Sequence, residues 1–119
     1  MALEESVQRY SYEADGAIGQ YLLVSAKAGS PRTCKLATAT DPLLLGSTMN
    51  RATAAGQALT VGREGIIKCT ASAPIAAGAI VAAAASGKCV THATVGFGIA
   101  ITAAGADNEI FEVQWGRVG

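Results

Sequence analysis

The sequence predicts an all-β protein, a small compact β-barrel or β-sandwich with few or no helices and an extended N-terminal arm. Two observations carry this prediction. Short runs with a two-residue alternation recur along the chain, and turns that contain glycine separate them, which is the pattern of barrels and sandwiches. The clearest alternation lies in VGFGIAITA at residues 95–103. With 119 residues and no shift in composition, the chain is expected to form an arm or edge strand over 1–16 and a single β-rich domain over 17–119.

The composition predicts a thin hydrophobic core. Half of the residues are apolar, but 25 are alanine, and Leu, Ile, Val and Phe together number only 26. A small domain with few bulky side chains buries little surface by itself. Contact with copies of itself or with a partner would add stability, because a partner that binds only the folded state shifts the folding equilibrium.

The charge and hydropathy patterns argue against two classes of partner. Nine basic and nine acidic residues cancel, so the chain lacks the electrostatic footprint of a nucleic-acid-binding protein. Pro74 and Gly78 interrupt the longest uncharged stretch, Cys69 to Gly87, and the apolar run that remains is too short for a membrane span. The N-terminal residues MALEESVQRY contain no hydrophobic signal segment, so synthesis in a cytoplasm is expected.

The first predicted element is the N-terminal arm or edge strand. Residues 1–16 are the most charged part of the chain, and they contain two tyrosines that are two positions apart. In an extended segment these tyrosines point to the same side. They either dock onto a neighbouring molecule or fold onto their own domain. The candidate interface residues of this segment are Val7, Arg9, Tyr10 and Tyr12.

Two strands and a less regular segment are expected next. IGQYLLVSAK, residues 18–27, is predicted to be a strand that ends in the turn at 28–31. RTCKLATAT, residues 32–40, is predicted to be a second strand with small side chains. In the following segment, 41–56, Leu43 to Leu45 form the densest bulky aliphatic cluster of the chain, and a loop or a short helix packed under the sheet is expected.

Further strands are predicted in the C-terminal half. Residues 57–61 and 66–70 are expected to be strands, joined through flanking glycines that permit a tight reversal. Residues 80–85 are compatible with a helix, since an alanine run favours one. A strand is nevertheless predicted here, because Gly78 and the turn at Ser86-Gly87 leave too few residues for a typical helix.

The chain is expected to end in a hairpin. In the strand at 95–103, Gly96 and Gly98 lie on a face of small residues, which would let another strand or subunit approach closely. These two glycines are therefore candidate interface residues as well. The alternation continues in residues 109–118. The core face of this last strand is expected to carry Phe111, Val113 and Trp115.

The residue pattern contains no recognisable catalytic or ligand-binding constellation. A nucleophilic serine or cysteine needs an adjacent base, and the sequence pairs its single histidine, His92, with no particular carboxylate. The carboxylates are scattered without a calcium-type loop, and the glycines at 96–98 lack the rest of a dinucleotide-binding fingerprint. Cys34, Cys69 and Cys89 lack zinc or redox spacing and are expected to be small buried hydrophobes. We expect no catalytic residue, cofactor or metal.

A set of motifs in the C-terminal two thirds carries a family resemblance. The motifs are GII at 65–67, APIAAGAIV at 73–81, SGK at 86–88, VGFGIA at 95–100 and NEIFEV at 108–113. They resemble the capsid decoration, or cement, proteins of tailed bacteriophages. The resemblance implies a β-rich domain without a catalytic motif that assembles, commonly as trimers, on the outer surface of the capsid in the virion. There it would bridge neighbouring major capsid protein subunits and resist the internal pressure of DNA.

Two other functions are compatible with the sequence. The first is another structural component of the virion, such as a tail-tube or fibre-base subunit. The second is a small ligand- or glycan-binding β-module, which would need aromatic side chains clustered on its surface. The chain has only six aromatic residues, several of which the core requires. An enzyme built on His92 and a carboxylate is less favoured than either.

Overall fold

The computed structural model describes residues 8–39 and 44–118, and over these residues the chain forms ten strands and one 3-10 turn. The first half contains β1 (Gln8–Ala14), β2 (Leu23–Ala26), β3 (Thr33–Leu36), β4 (Leu44–Thr48) and β5 (Ala58–Arg63). The second half contains β6 (Ile66–Thr70), β7 (Ile80–Ala83), the 3-10 turn Ala85–Gly87, β8 (Cys89–Thr91), β9 (Gly96–Ala100) and β10 (Ile110–Val118). The all-β prediction is confirmed.

Strands β1 to β5 close into a barrel in the order β1-β3-β2-β4-β5, with β5 pairing back onto β1. The β1–β3 pair is parallel, and the other pairs are antiparallel. Because side chains alternate along each strand, one set fills the barrel interior. Its buried members are Ala14, Ile18, Val24, Cys34, Leu45, Ala52, Leu59 and Val61.

The remaining strands form a second sheet in the order β6-β10-β9-β7-β8. Its two outermost strands are linked where Ala71, just after β6, bridges Cys89 in β8, and where the Ser72 amide donates to the Cys89 carbonyl at 2.8 Å. The side chains on the concave side of this nearly closed sheet make a second core. From the sheet itself this core includes Ile67, Cys69, Val81, Cys89, Ala100, Phe111 and Val113.

Strand β2 joins the two cores. Val24 lies in the barrel interior, whereas the adjacent Leu23 packs into the core of the second sheet, and both side chains are fully buried. Side-chain hydrogen bonds add to this junction, since the Ser47 hydroxyl donates to the Lys68 carbonyl at 2.6 Å. A single strand therefore contributes to both hydrophobic cores, one through each of its faces.

The segment expected to be a loop or short helix is corrected where the structure describes it. Residues 44–48 form β4, while residues 40–43 lie outside the described residues. Leu45 is buried in the barrel, whereas Leu44 packs against the second core. Both faces of this strand contact apolar groups, so the sequence shows no alternation between polar and apolar residues.

The tight reversal expected at residues 62–65 has a different role from a hairpin turn. Glu64 and Gly65 do adopt positive φ angles of 63° and 79°. The strands on either side belong to different sheets, because β5 pairs with β1 and β4 whereas β6 pairs with β10. The turn thus carries the chain from the barrel to the second sheet. Residues 80–83 form strand β7, as predicted.

The residues predicted as an N-terminal arm or edge strand divide into two parts. Residues 1–7 lie outside the described residues. Residues 8–14 form β1, which has a neighbour on each side, because Glu13 pairs with Thr33 of β3 and with Ala58 of β5. Over these residues the segment is therefore an integral strand of the barrel and neither a free arm nor a sheet edge.

Candidate interaction surface

The second sheet carries apolar side chains on the face that points away from its core. In the register of the sheet, Ile80 of β7 lies opposite Ile99 of β9, and Ile99 lies opposite Gln114 of β10. Residues directly opposite each other share one face of a sheet. Gln114 alternates with the buried Val113, so this row lies on the outer side. The outer face, as we call it, consists of Ile80, Ala82, Val90, Ile99, Ile101, Ile110, Glu112 and Gln114. Ile66 and Lys68 of β6 lie opposite Gln114 and Glu112 on the same side of the sheet.

Three large aliphatic side chains on this side are exposed to solvent. Ile101 and Ile110 are each 44% exposed, and Val95, at the entry to β9, is 50% exposed. Ile101 and Ile110 lie close together, because the Ile101 amide donates to the carbonyl of Glu112, two residues after Ile110. Antiparallel sheets in isolated domains usually present a polar face to water, and contiguous exposed apolar groups mark interaction sites. The outer face is therefore the candidate interaction surface.

The two glycines predicted at an interface lie inside the protein's own sheet. A Cβ on Gly98 would lie 2.6 Å from Val113 Cγ1 and would also meet the Gln114 carbonyl. A Cβ on Gly96 would lie 2.7 Å from Ile80 Cγ2 and would meet the Val81 carbonyl. The close approach that these glycines permit is thus made by β7 and β10 of the same chain. Gly98 is buried and presents no surface to a partner.

The predicted N-terminal interface residues that the structure describes lie in strand β1 of the barrel. Tyr12 packs against the barrel core, and the Arg32 guanidinium lies 5.1 Å from the centre of its ring. Tyr10 lies opposite the buried Val61 and is 40% exposed. Arg9 pairs through its backbone with Gly62, and Val7 lies outside the described residues. Tyr12 therefore packs on its own barrel, whereas Tyr10 remains partly exposed.

The single histidine has a local structural role. His92 is exposed, and its Nδ1 accepts hydrogen bonds from the backbone amides of Thr94 at 3.2 Å and Val95 at 3.1 Å. These bonds shape the turn that leads into β9. Across residues 8–39 and 44–118, no group of three or more histidine, cysteine or acidic side chains is placed to hold a metal ion. No helix in this part of the chain is long and apolar enough to cross a membrane.

The three cysteines are buried free thiols, as their sequence context predicted. Burial, aided by the negative charge of Asp15, raises the pKa of Cys34 to about 11. Burial also raises the pKa of Cys89, and the Cys69 thiol that shares a hydrogen bond with it adds to this effect. A raised pKa keeps a thiol protonated and therefore weakly nucleophilic.

Sequence reasoning identified the alternation in β9 but not the outer face. The signal was present in residues 95–103, where bulky and small side chains alternate. In the structure Gly98 and Ala100 are on the buried side, whereas Val95 and Ile101 are exposed. The bulky residues of 95–101, with the exception of the buried Phe97, are therefore the ones that remain at least partly exposed.

Comparison with known proteins places this fold among phage structural proteins. The chain is similar to the crystal structure of the N base of the head fibre gp8.5 of bacteriophage phi29, with a TM-score of 0.74 and 13% sequence identity over 96% of this chain and 95% of that chain. No curated protein matches it. A family model described as phage cement protein matches residues 7–115, which is most of the sequence, and the chain therefore belongs to the phage cement protein family.

Proposed function

We propose that this protein binds the outer surface of the major capsid protein lattice and stabilises the phage head against the internal pressure of its DNA. The observation that carries this proposal is the outer face, an apolar sheet surface on a protein of the cement family. The protein would act through this surface and without catalysis. The exposed aliphatic side chains of the outer face suit contact with an apolar protein surface.

The small apolar area of the outer face predicts weak binding for a single copy and strong binding for several linked copies. Complete burial of an isoleucine side chain contributes about 1.5–3 kcal/mol, and Ile101 and Ile110 are already about half buried before any contact. A single copy would therefore gain little after the cost of association. Copies that are linked to one another, each bound to a capsid lattice, would hold firmly through avidity.

The same reasoning supports self-association. We propose that the protein forms homotrimers, as the resemblance to decoration proteins implies, so that several outer faces engage the lattice together. Light scattering of the full chain in solution and mass measurement on the particle give the number of copies per assembly, with 11.9 kDa for each copy. A mass of one copy in both settings would contradict the trimer.

The capsid proposal is tested by co-sedimentation of the full chain with expanded capsids that lack it. Ile101→Glu and Ile110→Glu place a charge on the outer face, and each is expected to weaken binding at least about tenfold, because an unpaired charge would be desolvated in the contact. The matched control is Thr53→Glu in an exposed loop of the barrel, which should bind normally. Equal binding of all three variants would exclude the outer face as the capsid contact.

A second candidate function is the base of a head fibre. The fold similarity to the N base of the phi29 head fibre favours this possibility, although similarity at 13% identity establishes the fold alone. Electron microscopy of particles with and without the protein distinguishes the two functions. A fibre base would lie beneath a projecting fibre, whereas a cement protein would appear as compact density between capsid subunits.

A further inference from the structure

The two outermost strands of the second sheet, β6 and β8, meet at a seam, as we call the contact of Ala71 and Ser72 with Cys89. In the described part of the chain one parallel bridge, between Ala71 and Cys89, pairs the two sides of this seam. The Ser72 amide and hydroxyl also donate to the Cys89 carbonyl, at 2.8 and 2.9 Å. The other neighbouring strands of the sheet share at least two paired positions, so the seam is its most sparsely paired junction.

Two cysteine thiols lie on the core side of the seam. Cys69 of β6 precedes Ala71 by two positions, so the two side chains point to the same face. Ala71 lies opposite Cys89, and all three side chains belong to the core of the second sheet. Both cysteines are fully buried, and their thiols share a hydrogen bond. A pair of thiols therefore spans the two strands that the backbone joins only at one bridge.

The third cysteine of the chain has a different environment. Cys34 is also fully buried, but it belongs to the barrel core, which contains neither Cys69 nor Cys89. A role as a small buried hydrophobe accounts for Cys34. Such a role does not require that two thiols meet across a seam, as Cys69 and Cys89 do.

A structural protein of a virion passes through two redox environments. Thiols stay reduced in a cytoplasm, whereas disulfides form and persist on the surface of a released virion. A member of the phage cement protein family would fold with free thiols and later meet oxidants. Oxidation of a thiol pair after folding would then add a covalent bond to a sheet that is already formed.

We propose that Cys69 and Cys89 form an intramolecular disulfide when the folded protein meets a peroxide, and that this bond closes the second sheet covalently. One thiolate attacks a peroxide oxygen, which gives a sulfenic acid and a hydroxide that takes up the proton lost by that thiol. The second thiol attacks the sulfenic sulfur, the S–S bond forms and water leaves. Two thiols and one hydrogen peroxide thus give one disulfide and two waters, and the sulfurs lose the two electrons that the peroxide oxygens gain.

Burial makes this reaction slow in the closed sheet. It raises the pKa of the Cys89 thiol and keeps the oxidant away from both sulfurs. The oxidant enters when the sparsely paired seam opens locally. The bond then joins positions 20 residues apart and stabilises the protein by restricting its unfolded chain. This inference does not depend on which surface binds the capsid.

Peptide mapping of the full chain tests whether the bond forms. The folded protein is treated with hydrogen peroxide, its remaining thiols are alkylated, and it is digested with trypsin. Cleavage after Lys68 and Lys88 places Cys69 and Cys89 in separate peptides, 69–88 and 89–117. These two peptides should be recovered joined, lighter than their sum by two hydrogen atoms and separable by dithiothreitol, with Cys34 outside the bridge. Alkylation of both Cys69 and Cys89, or a bridge that includes Cys34 or joins two copies, would overturn the proposal.

Urea unfolding tests whether the bond closes the sheet. The oxidised protein should unfold at a urea concentration about 2 M higher than the reduced protein, and dithiothreitol should reverse the shift. Cys89→Ala, treated with the same peroxide, is the matched control, because it keeps Met49 and therefore reveals any effect of methionine oxidation. Its midpoint should not rise. The main comparison uses the unaltered chain and so does not require that this variant folds. An unchanged or lower midpoint in the disulfide form would overturn the covalent closure.

Discussion

The barrel and the second sheet are made from similar small residues, yet they differ in what they present to solvent. The exposed side chains of the barrel include Glu13, Lys27 and Arg32, whereas the outer face of the second sheet exposes Ile101 and Ile110. The barrel encloses its large aliphatic side chains by closing on itself. The second sheet has apolar residues on both faces, and it therefore leaves aliphatic side chains exposed in the single chain. Under the proposed function, the barrel would act as a support and the second sheet as the contact surface.

The barrel and the second sheet differ in their exposed surfaces although strand β2 contributes to both of their cores. Leu23 and Val24 lie next to each other in β2 and belong to different cores. A destabilising substitution in either core should therefore also destabilise the other core. The predictions below test whether the two parts fold together and whether they differ only in their surfaces.

The largest effect is expected at the shared strand. Leu23→Ala should lower the free energy of unfolding by about 3 kcal/mol, because it leaves a cavity in the core of the second sheet. Val24→Ala, its neighbour in the barrel core, should cost about 2 kcal/mol, because it removes fewer carbon atoms. Urea unfolding measured by circular dichroism and by the fluorescence of Trp115 gives both values.

The informative comparison is whether the circular dichroism and the Trp115 fluorescence change at the same urea concentration. Trp115 packs against the core of the second sheet, so its fluorescence reports on that part of the molecule. If the shared strand couples the two cores, Val24→Ala should shift the Trp115 transition as far as it shifts the circular dichroism. A Trp115 transition that stayed at its original urea concentration would show that the two parts unfold separately.

Substitution of a closely packed glycine in the second sheet should give the next largest loss in the free energy of unfolding. Gly98→Ala should cost about 2 kcal/mol, because the new methyl group would meet Val113 and the carbonyl of Gln114. Gly116→Ala in β10 is the control, since nothing lies within 4 Å of the added carbon, and it should leave the free energy of unfolding nearly unchanged. Hydrogen exchange should become faster in β9 and β10 only for Gly98→Ala. Equal losses in both variants would remove the steric explanation.

Alkaline pH should destabilise the protein through its buried thiols. The pKa of Cys34 is raised from 9.0 to about 11 by burial. Between these values the unfolded chain loses the thiol proton more readily than the folded protein, so stability is lost as the pH rises through this window. For Cys34 the loss between about pH 8 and about pH 10.5 is on the order of 2 kcal/mol.

Urea unfolding of the unaltered protein and of Cys34→Ala at the two pH values isolates this effect. Cys34→Ala should lose less stability on alkalinisation, whatever its stability at neutral pH. Cys89→Ala performs the same test in the second sheet, where the pKa of the thiol is also raised. Identical pH dependence in all three proteins would mean that the thiols are not protected by burial.

The smallest effect on stability is expected on the outer face. Ile101→Ser and Ile110→Ser should change the free energy of unfolding by only about 0.5 kcal/mol, because both side chains are already partly in water. They should nevertheless reduce the binding of a fluorescent dye that reports exposed apolar surface. A large loss of stability would show that these isoleucines serve the fold, and the contrast between the two parts of the molecule would then fail.

The sequence allowed the all-β fold, strands at 66–70 and 80–83, and the last hairpin to be predicted, because alternation and glycine-bearing turns are local properties. It did not allow β4 to be recognised, since Leu44 and Leu45 pack in two different cores and the strand therefore shows no polar face. The sequence predicted the outer face only in part, because alternation in β9 distinguishes two faces of the strand without showing which face is buried.

What the sequence by itself determined is the all-β class, the small number of bulky apolar residues and the likeness to cement proteins, all of which depend on residue types and their spacing. The tertiary structure alone decided which glycines are enclosed, that residues 8–14 belong to the barrel, and that Ile101 and Ile110 remain exposed. The physical reason is that burial depends on strands distant in sequence. Gly98 is enclosed by β10, and Leu23 by a core formed mostly from residues 67–113.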